Sequence, residues 1–236
     1  MKQIPNLITL LNLFFGCCAI ALSFNGPDWR PSLFIGLAAL VDFLDGFVAR
    51  MMKASSEMGK QLDSLSDVVS FGVAPSMIIL QFLHVSFAQS PGGMQMSWMW
   101  LSPAFLFACA VAYRLAKFNI DPEQAYHFKG LPSPMGGLLI ASLPLIYGFS
   151  SNAWFRSLLE NAWCWYGITL ITGWLMVSSL PMMALKFSPG AKQQNLPRII
   201  LLLSSILALL FLQWLAVPVI FIAYILLSLL FKKRIS

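Results

Sequence analysis

Charge is what this sequence has least of. Of its 236 residues only 10% are charged and 58% are hydrophobic, where a soluble domain carries about 25% charged residues. That shortage excludes an ordinary water-soluble globule. Histidine is nearly absent too. His84 and His127 are the two present, and neither has a ligand partner at useful spacing, so neither is assigned a role. The four cysteines, Cys17, Cys18, Cys109 and Cys164, fall in apolar segments without CxxC or Cys/His spacing. They read as buried thiols, and a thiolate metal site and a disulfide scaffold are both set aside. The net charge of +6 invites a nucleic-acid reading, but no basic patch alternates with aromatics on a soluble face. No nucleic-acid partner is expected.

What the chain has instead is long apolar runs. Eight are of a length that suits helices crossing a ~30 Å hydrocarbon layer. They lie at about 5–24, 31–51, 66–87, 98–118, 131–149, 162–185, 198–213 and 215–231. The first follows Lys2 like a signal peptide, but no small-residue cleavage site is evident and it reads as a membrane helix. The last two are tightly joined near Gln213 and Pro218 and could form a re-entrant pair. The expected fold is an all-α polytopic bundle forming one domain over 1–236, with a catalytic core over about 1–185 and further helices over 186–236. With eight spans, all of the 15 lysines and arginines except Arg30 and Arg156 fall on the side of the termini. The positive-inside rule then makes both termini cytoplasmic. Trp29, Trp98, Trp100 and Trp163, near span ends, read as interface anchors.

The few acids are concentrated. Asp42-Phe43-Leu44-Asp45-Gly46-Phe47-Val48-Ala49-Arg50 is followed, after eight residues, by Gly59, and then by Asp63 and Asp67 at intervals of four. Asp42 and Asp45 end an apolar run of spanning length, where a charge costs ~2.5–3.5 kcal/mol on insertion scales. On a helix, Asp42, Asp45, Gly46 and Ala49 share one face, and Gly59, Asp63 and Asp67 share a face of the next. Opposing those faces gathers four carboxylates, which repel one another unless cations intervene. Oxygen-only ligands suit Mg²⁺ or Mn²⁺, and four carboxylates suffice for two ions in the arrangement used in phosphoryl transfer. The small residues leave room for a flat polar substrate such as a nucleotide, and Arg50 offers a fork that fits a phosphate. The bland reading pairs the acids with Arg50, Lys53 and Lys60, and leaves the small residues unexplained. A cation path would distribute its acids across the bilayer, whereas these cluster at one surface.

This pattern matches throughout the signature of the CDP-alcohol phosphotransferase family, which the chain resembles. The resemblance implies that Asp42, Asp45, Asp63 and Asp67 hold two divalent metals at a CDP pyrophosphate. It makes Asp67 the general base for the incoming alcohol. Residues 5–13 (PNLITLLNL), 66–75 (SDVVSFGVAP), 113–119 (YRLAKFN) and 129–134 (KGLPSP) further resemble the bacterial phosphatidylserine synthase branch of that family. The branch more often has Leu and Arg where Tyr113 and Lys117 stand. The implied reaction joins CDP-diacylglycerol and L-serine in the lipid bilayer of the cell inner membrane, at a site facing the cytoplasm, in a homodimer. Alternatives are a sibling enzyme accepting glycerol phosphate or an inositol phosphate, a cation transporter, or a scaffold without turnover.

Other polar residues fall near the same surface. Arg114 and Lys117, at i and i+3, either bind an anion (the serine carboxylate or the lipid phosphate) or merely snorkel. Asn6 and Thr9, also at i and i+3, either contact cytosine or ribose or cap the first helix. Ser133, between two prolines, is accounted for by turn geometry.

Overall fold

In the computed structural model the described residues are 3–52, 56–88, 97–120, 130–150, 152–183 and 192–231. They are almost wholly helical. Lys53, His127 and Lys129 lie outside them. Helices α1 (Gln3–Ser23) and α2 (Arg30–Met51) pair along their lengths. Next come α3 (Glu57–Asp67), a π-helical turn (Val68–Val73) and α4 (Ala74–Ala88), which run on as one rod. Then α5 (Trp98–Leu101) leads through a 3₁₀ turn into α6 (Leu106–Ile120). They are followed by α7 (Ser133–Phe149), α8 (Ala153–Leu159), α9 (Ala162–Val177), α10 (Lys192–Leu212) and α11 (Ala216–Leu230). Five of the described helical stretches are long and apolar enough to cross a membrane, and α7 and α9 are shorter apolar helices. The chain is a multi-pass membrane protein.

The 57–88 rod is the centre of the bundle. Met77, Ile78, Ile79, Leu80, Phe82 and Leu83 are all buried, as expected of a helix apolar on every side. It packs against α1, α6, α7 and α9. Between helices already surrounded by hydrocarbon, close packing replaces the hydrophobic effect as the force of association. Glycines supply it here. A Cβ on Gly16 would stand 2.9 Å from Ser70 Cα, and one on Gly137 would stand 3.1 Å from Phe71 Cα. The π turn has a local cause as well. Pro75 has no N–H to give the Phe71 carbonyl, so the preceding turn widens and Ala74 N–H donates to Val69 O, five residues back.

Several expectations are corrected. The third span starts at Glu57, not 66, because Ser56 caps it, its hydroxyl accepting from Gly59 N–H at 3.0 Å. The fourth span runs two residues further than expected, to Ile120. The sixth span ends at Val177, not 185. Ser178 is extended there, and Leu180 O accepts from Gly130 N–H at 2.9 Å. Helix α8 was not expected. Cys17 and Cys109 are exposed on the outer surface of the helices, not buried. Such exposure suits a lipid-facing surface, where α10 also turns out Leu203, Leu207, Leu210 and Phe211.

The last stretch reverses at Gln213, whose φ is +48°. The turn there, Gln213–Leu215, sits against Ile146, Phe149 and Ser150 at the end of α7. Tyr224 and Ser228 reach Met183, beside the start of α7. Thus α11 runs antiparallel to α7, and α10 packs back on α11. The two arms form a hairpin that traverses the bundle. Trp29, Phe149 and Trp214 meet at the turn end, with ring centroids 5.7 and 6.1 Å apart. Trp98, Trp100 and Trp163 are exposed.

Candidate active site

The acidic residues sit where α2 and α3 face each other across α1. Asp42, Asp63 and Asp67 each offer an oxygen, and these oxygens lie within 4.8 Å of one another. Two hydroxyls on the central rod key it to α1: Ser66 Oγ donates to Thr9 O at 3.2 Å and Ser70 Oγ donates to Asn12 O at 3.0 Å. Asp67 lies between those two serines. It is buried, and its Oδ1 has no hydrogen-bond partner. Asp45 is set to one side, where its Oδ2 accepts from Thr9 Oγ1 at 2.8 Å.

Three carboxylates packed this closely in a low-dielectric setting require compensating positive charge. Part comes from Arg114 on α6, which acts electrostatically on Asp67. Among the described residues neither Arg50 nor Lys60 makes an ion pair with the cluster, so the bland pairing finds no support in them. The donor set is oxygen-only and includes one orphaned buried oxygen. Those properties fit a hard divalent cation, and the cluster can hold one.

Beside the cluster lies a cavity of about 250 Å³. Asn6 and Thr9 of α1, Asp45, Gly46 and Ala49 of α2, and Gly59, Lys60 and Asp63 of α3 line it. Most of the sequence-predicted set is therefore brought to one wall. Helix α1 begins at Gln3, so Asn6 and Thr9 are inside it and do not cap it. A Cβ on Gly46 would find only the Arg50 guanidinium, 3.9–4.0 Å away, whereas one on Gly59 would stand 3.1 Å from Asn6 Oδ1. Gly46 thus faces open space, with Arg50 exposed at the rim.

Arg114 is 7% exposed and within electrostatic range of Asp67. Its Nη1 donates to Ser133 Oγ at 2.8 Å, and its guanidinium lies 5.9 Å from the centroid of the Phe118 ring. A snorkelling arginine would extend to the surface, and this one is folded inward. Lys117 is half-buried in the last turn of α6 and does not line the cavity. Ser133 is more than the turn residue the sequence suggested. It is fully buried at the start of α7 and fixes Arg114. Its partner is 19 residues away, and only the adjoining KGLPSP stretch hinted at a role. Lys60 was also missed as a cavity residue. Its Nζ donates to Asn119 O at 3.1 Å, and Asn119 Nδ2 donates to Ser64 Oγ at 2.8 Å, so α3 and α6 are latched at the rim.

A family model described as CDP-alcohol phosphatidyltransferase matches residues 2–182. A CDP-diacylglycerol–serine O-phosphatidyltransferase of Mycobacterium tuberculosis is 33% identical over 195 residues, covering 77% of this chain and 61% of the relative. A protein of the same name from Bacillus subtilis is 34% identical over 153 residues, covering 62% of this chain and 78% of the relative. An archaetidylserine synthase of Methanothermobacter thermautotrophicus is 34% identical over 155 residues, covering 63% and 60%. The chain thus spans about three fifths of the mycobacterial and archaeal relatives' lengths.

Proposed function

The chain belongs to the CDP-alcohol phosphatidyltransferase family, and from that premise we propose that it transfers the phosphatidyl group of CDP-diacylglycerol to L-serine, releasing CMP. The observation that carries this reading is the pairing of a three-carboxylate cluster with a glycine-walled cavity beside it and a buried arginine. The relatives' names favour serine over other acceptors, since the phosphatidyl and archaetidyl enzymes differ in lipid and share serine. An acceptor bearing a phosphate would call for more cations than Arg114 and Lys117 around its pocket.

Each residue then has a task. Asn6 and Thr9 contact the cytidine, Gly46, Ala49 and Gly59 admit it, and Arg50 pairs with a phosphate at the rim. Asp42, Asp63 and Asp67 would hold Mg²⁺ or Mn²⁺, with Asp45 beside them completing the set for a second ion. The bound cations supply neutralisation of the pyrophosphate charge and of the departing CMP oxygen. Arg114, aided by Lys117, holds the serine carboxylate so that its hydroxyl meets the phosphorus on the lipid side. A bond forms from the serine Oγ to that phosphorus as the bond to the CMP oxygen breaks, and Asp67 accepts the hydroxyl proton. Positioning and charge do most of the work in such a transfer. The site faces the cytoplasm from the inner membrane, where serine arrives and CMP leaves in water while both lipids stay in the bilayer.

The test is CMP release from CDP-diacylglycerol by purified protein given serine, glycerol 3-phosphate or inositol phosphate in separate reactions. Release with serine alone is expected. Release with either phosphate acceptor and not with serine would overturn the assignment, and cation flux without CMP release would point to a transporter.

A further inference from the structure

Helix α6 and the central rod are held together at a deep level and again at the rim. At the deep level they pack: a Cβ on Gly72 would stand 3.3 Å from Val111 Cβ and 3.5 Å from Ala108 Cα. At the rim they are joined through side chains. Lys60 Nζ donates to Asn119 O at 3.1 Å, Asn119 Nδ2 donates to Ser64 Oγ at 2.8 Å, and Ser64 Oγ donates to Lys60 O at 3.2 Å. Each of the three residues gives one hydrogen bond and receives one, so the ring is closed. Asn119 is next to last in α6, and its carbonyl is among those a helix leaves without an intrahelical partner. A lysine near such an end is favoured by the helix dipole. That accounts for the first bond and leaves the other two unexplained.

Asp67 and Arg114 lie between the two levels. Along α6, Asn119 is five residues beyond Arg114, a rise of ~7.5 Å. Along α3, Lys60 is seven residues before Asp67, a rise of ~10.5 Å. Both Asp67 and Arg114 are 7% exposed. An acceptor arriving from water has to reach both, so an entrance must open to them. The ring is able to open. Lys60 is exposed and Ser64 and Asn119 are half-buried, and hydrogen bonds at such positions exchange readily for bonds to water.

We propose that the Lys60–Ser64–Asn119 ring is a clasp across the acceptor's entrance, and that its closure over the bound acceptor limits the acceptor's size. This rests on the reading of Arg114 as the acceptor's anchor and Asp67 as its base. With the ring shut, the level of the two is capped roughly one and a half to two helical turns above, which suits an acceptor as small as serine. A bulkier acceptor reacts only with the ring broken and forfeits its hydrogen bonds. A ring that only pins α6 to α3 would change stability and would affect every acceptor alike.

The experiment uses the full chain in detergent micelles. The parent, Ser64→Ala, Asn119→Ala and Arg114→Lys are compared in kcat/KM for L-serine and for N-benzyl-L-serine, and in unfolding temperature. The benzyl compound keeps the carboxylate and the hydroxyl and adds bulk at nitrogen. Alanine is a better helix former than serine, so Ser64→Ala keeps α3 while removing two bonds of the ring. The parent is expected to prefer serine. Both ring variants should shrink that preference roughly 3–10-fold, by gaining on the bulky acceptor while kcat/KM for serine stays within about threefold. A parent that uses both acceptors alike overturns the proposal, as do ring variants that keep the parent's preference or never use the bulky acceptor. A lower unfolding temperature with equal losses on both acceptors marks a structural pin and overturns it too. Should Asn119→Ala not fold, Ser64→Ala decides. If Arg114→Lys raises KM for serine and the ring variants keep the parent's preference, the clasp alone fails. If Arg114→Lys leaves KM for serine unchanged, the reading of Arg114 fails and the clasp goes with it.

Discussion

Asp42, Asp63 and Asp67 come from consecutive helices joined by a short connector, whereas Arg114 and Ser133 are gathered from α6 and α7. The acidic side is therefore a local construction. Helical periodicity and one reversal of the chain bring its residues together, and α1 needs only two serine hydroxyls to lock the arrangement. The basic side is a tertiary construction, and each of its members depends on packing set elsewhere. The two sides should fail differently when they are damaged: the first in chemistry and cation binding, the second in recognition of the acceptor.

The hardest blow to the acidic side is Asp67→Asn. The amide is nearly isosteric, so packing should survive, but it cannot accept the serine proton. Turnover should fall ~10²–10⁴-fold with the unfolding temperature nearly unchanged. Near-normal turnover at saturating metal would mean that the proton leaves by another route. Asp42→Asn should act first through cation binding, and excess metal should restore part of its rate. EDTA, after bound metal has been stripped, should abolish the parent's turnover.

On the basic side, Arg114→Ala removes a charge-assisted hydrogen bond worth ~1.5–3 kcal/mol. Its KM for serine should rise roughly 10–100-fold, while cation dependence stays as in the parent. A shifted metal titration would show that the two sides are not separable.

A pair of glycines sharpens the contrast between room for a ligand and room for a helix. Gly46→Ala meets no protein atom closer than 3.9 Å, so the fold should be indifferent to it while KM for CDP-diacylglycerol rises several-fold. Gly137→Ala presses on Phe71, with Cα 3.1 Å from the new methyl, and overpacking of that kind costs ~1–3 kcal/mol. That variant should unfold earlier and keep its Michaelis constants. Equal effects on both readouts in both variants would erase the distinction.

The smallest effect is expected from Thr9→Val, which frees Asp45 from its 2.8 Å hydrogen bond. The divalent-cation concentration for half-maximal activity should shift about two- to threefold, with serine KM unmoved.

The difference in range also explains what could be read from the chain. The facing arcs of Asp42–Ala49 and Gly59–Asp67 follow from 3.6-residue periodicity, so the acidic wall was legible to single residues. The start of its second helix was not legible from hydropathy, because Glu57, Lys60, Gln61 and Asp63 dilute the apolar signal. Ser56 followed by Glu57 was the capping cue. The segment 178–183 reads as apolar and therefore as helix, but Pro181 and the pairing of Leu180 with Gly130 hold it extended. Ser133 gains its role only through a partner remote in sequence, and the KGLPSP stretch that contains it was the one local hint.

The widened turn at Val68–Val73 sets the central rod apart from the other described helices. A π turn carries one residue more than the α turn it replaces. Loss of a single residue from an unbroken helix turns everything beyond it by ~100°, and here that would swing Asp63 and Asp67 away from Asp42. Loss of one residue from inside 68–73, together with replacement of Pro75 by a residue that has an N–H to give, would instead close an ordinary turn and leave both flanks facing as before. The rod thus has a place where its register can be reset without turning Asp63 and Asp67 away from Asp42, provided that the Ser70 bond to α1 and the Phe71 contact with Gly137 are remade.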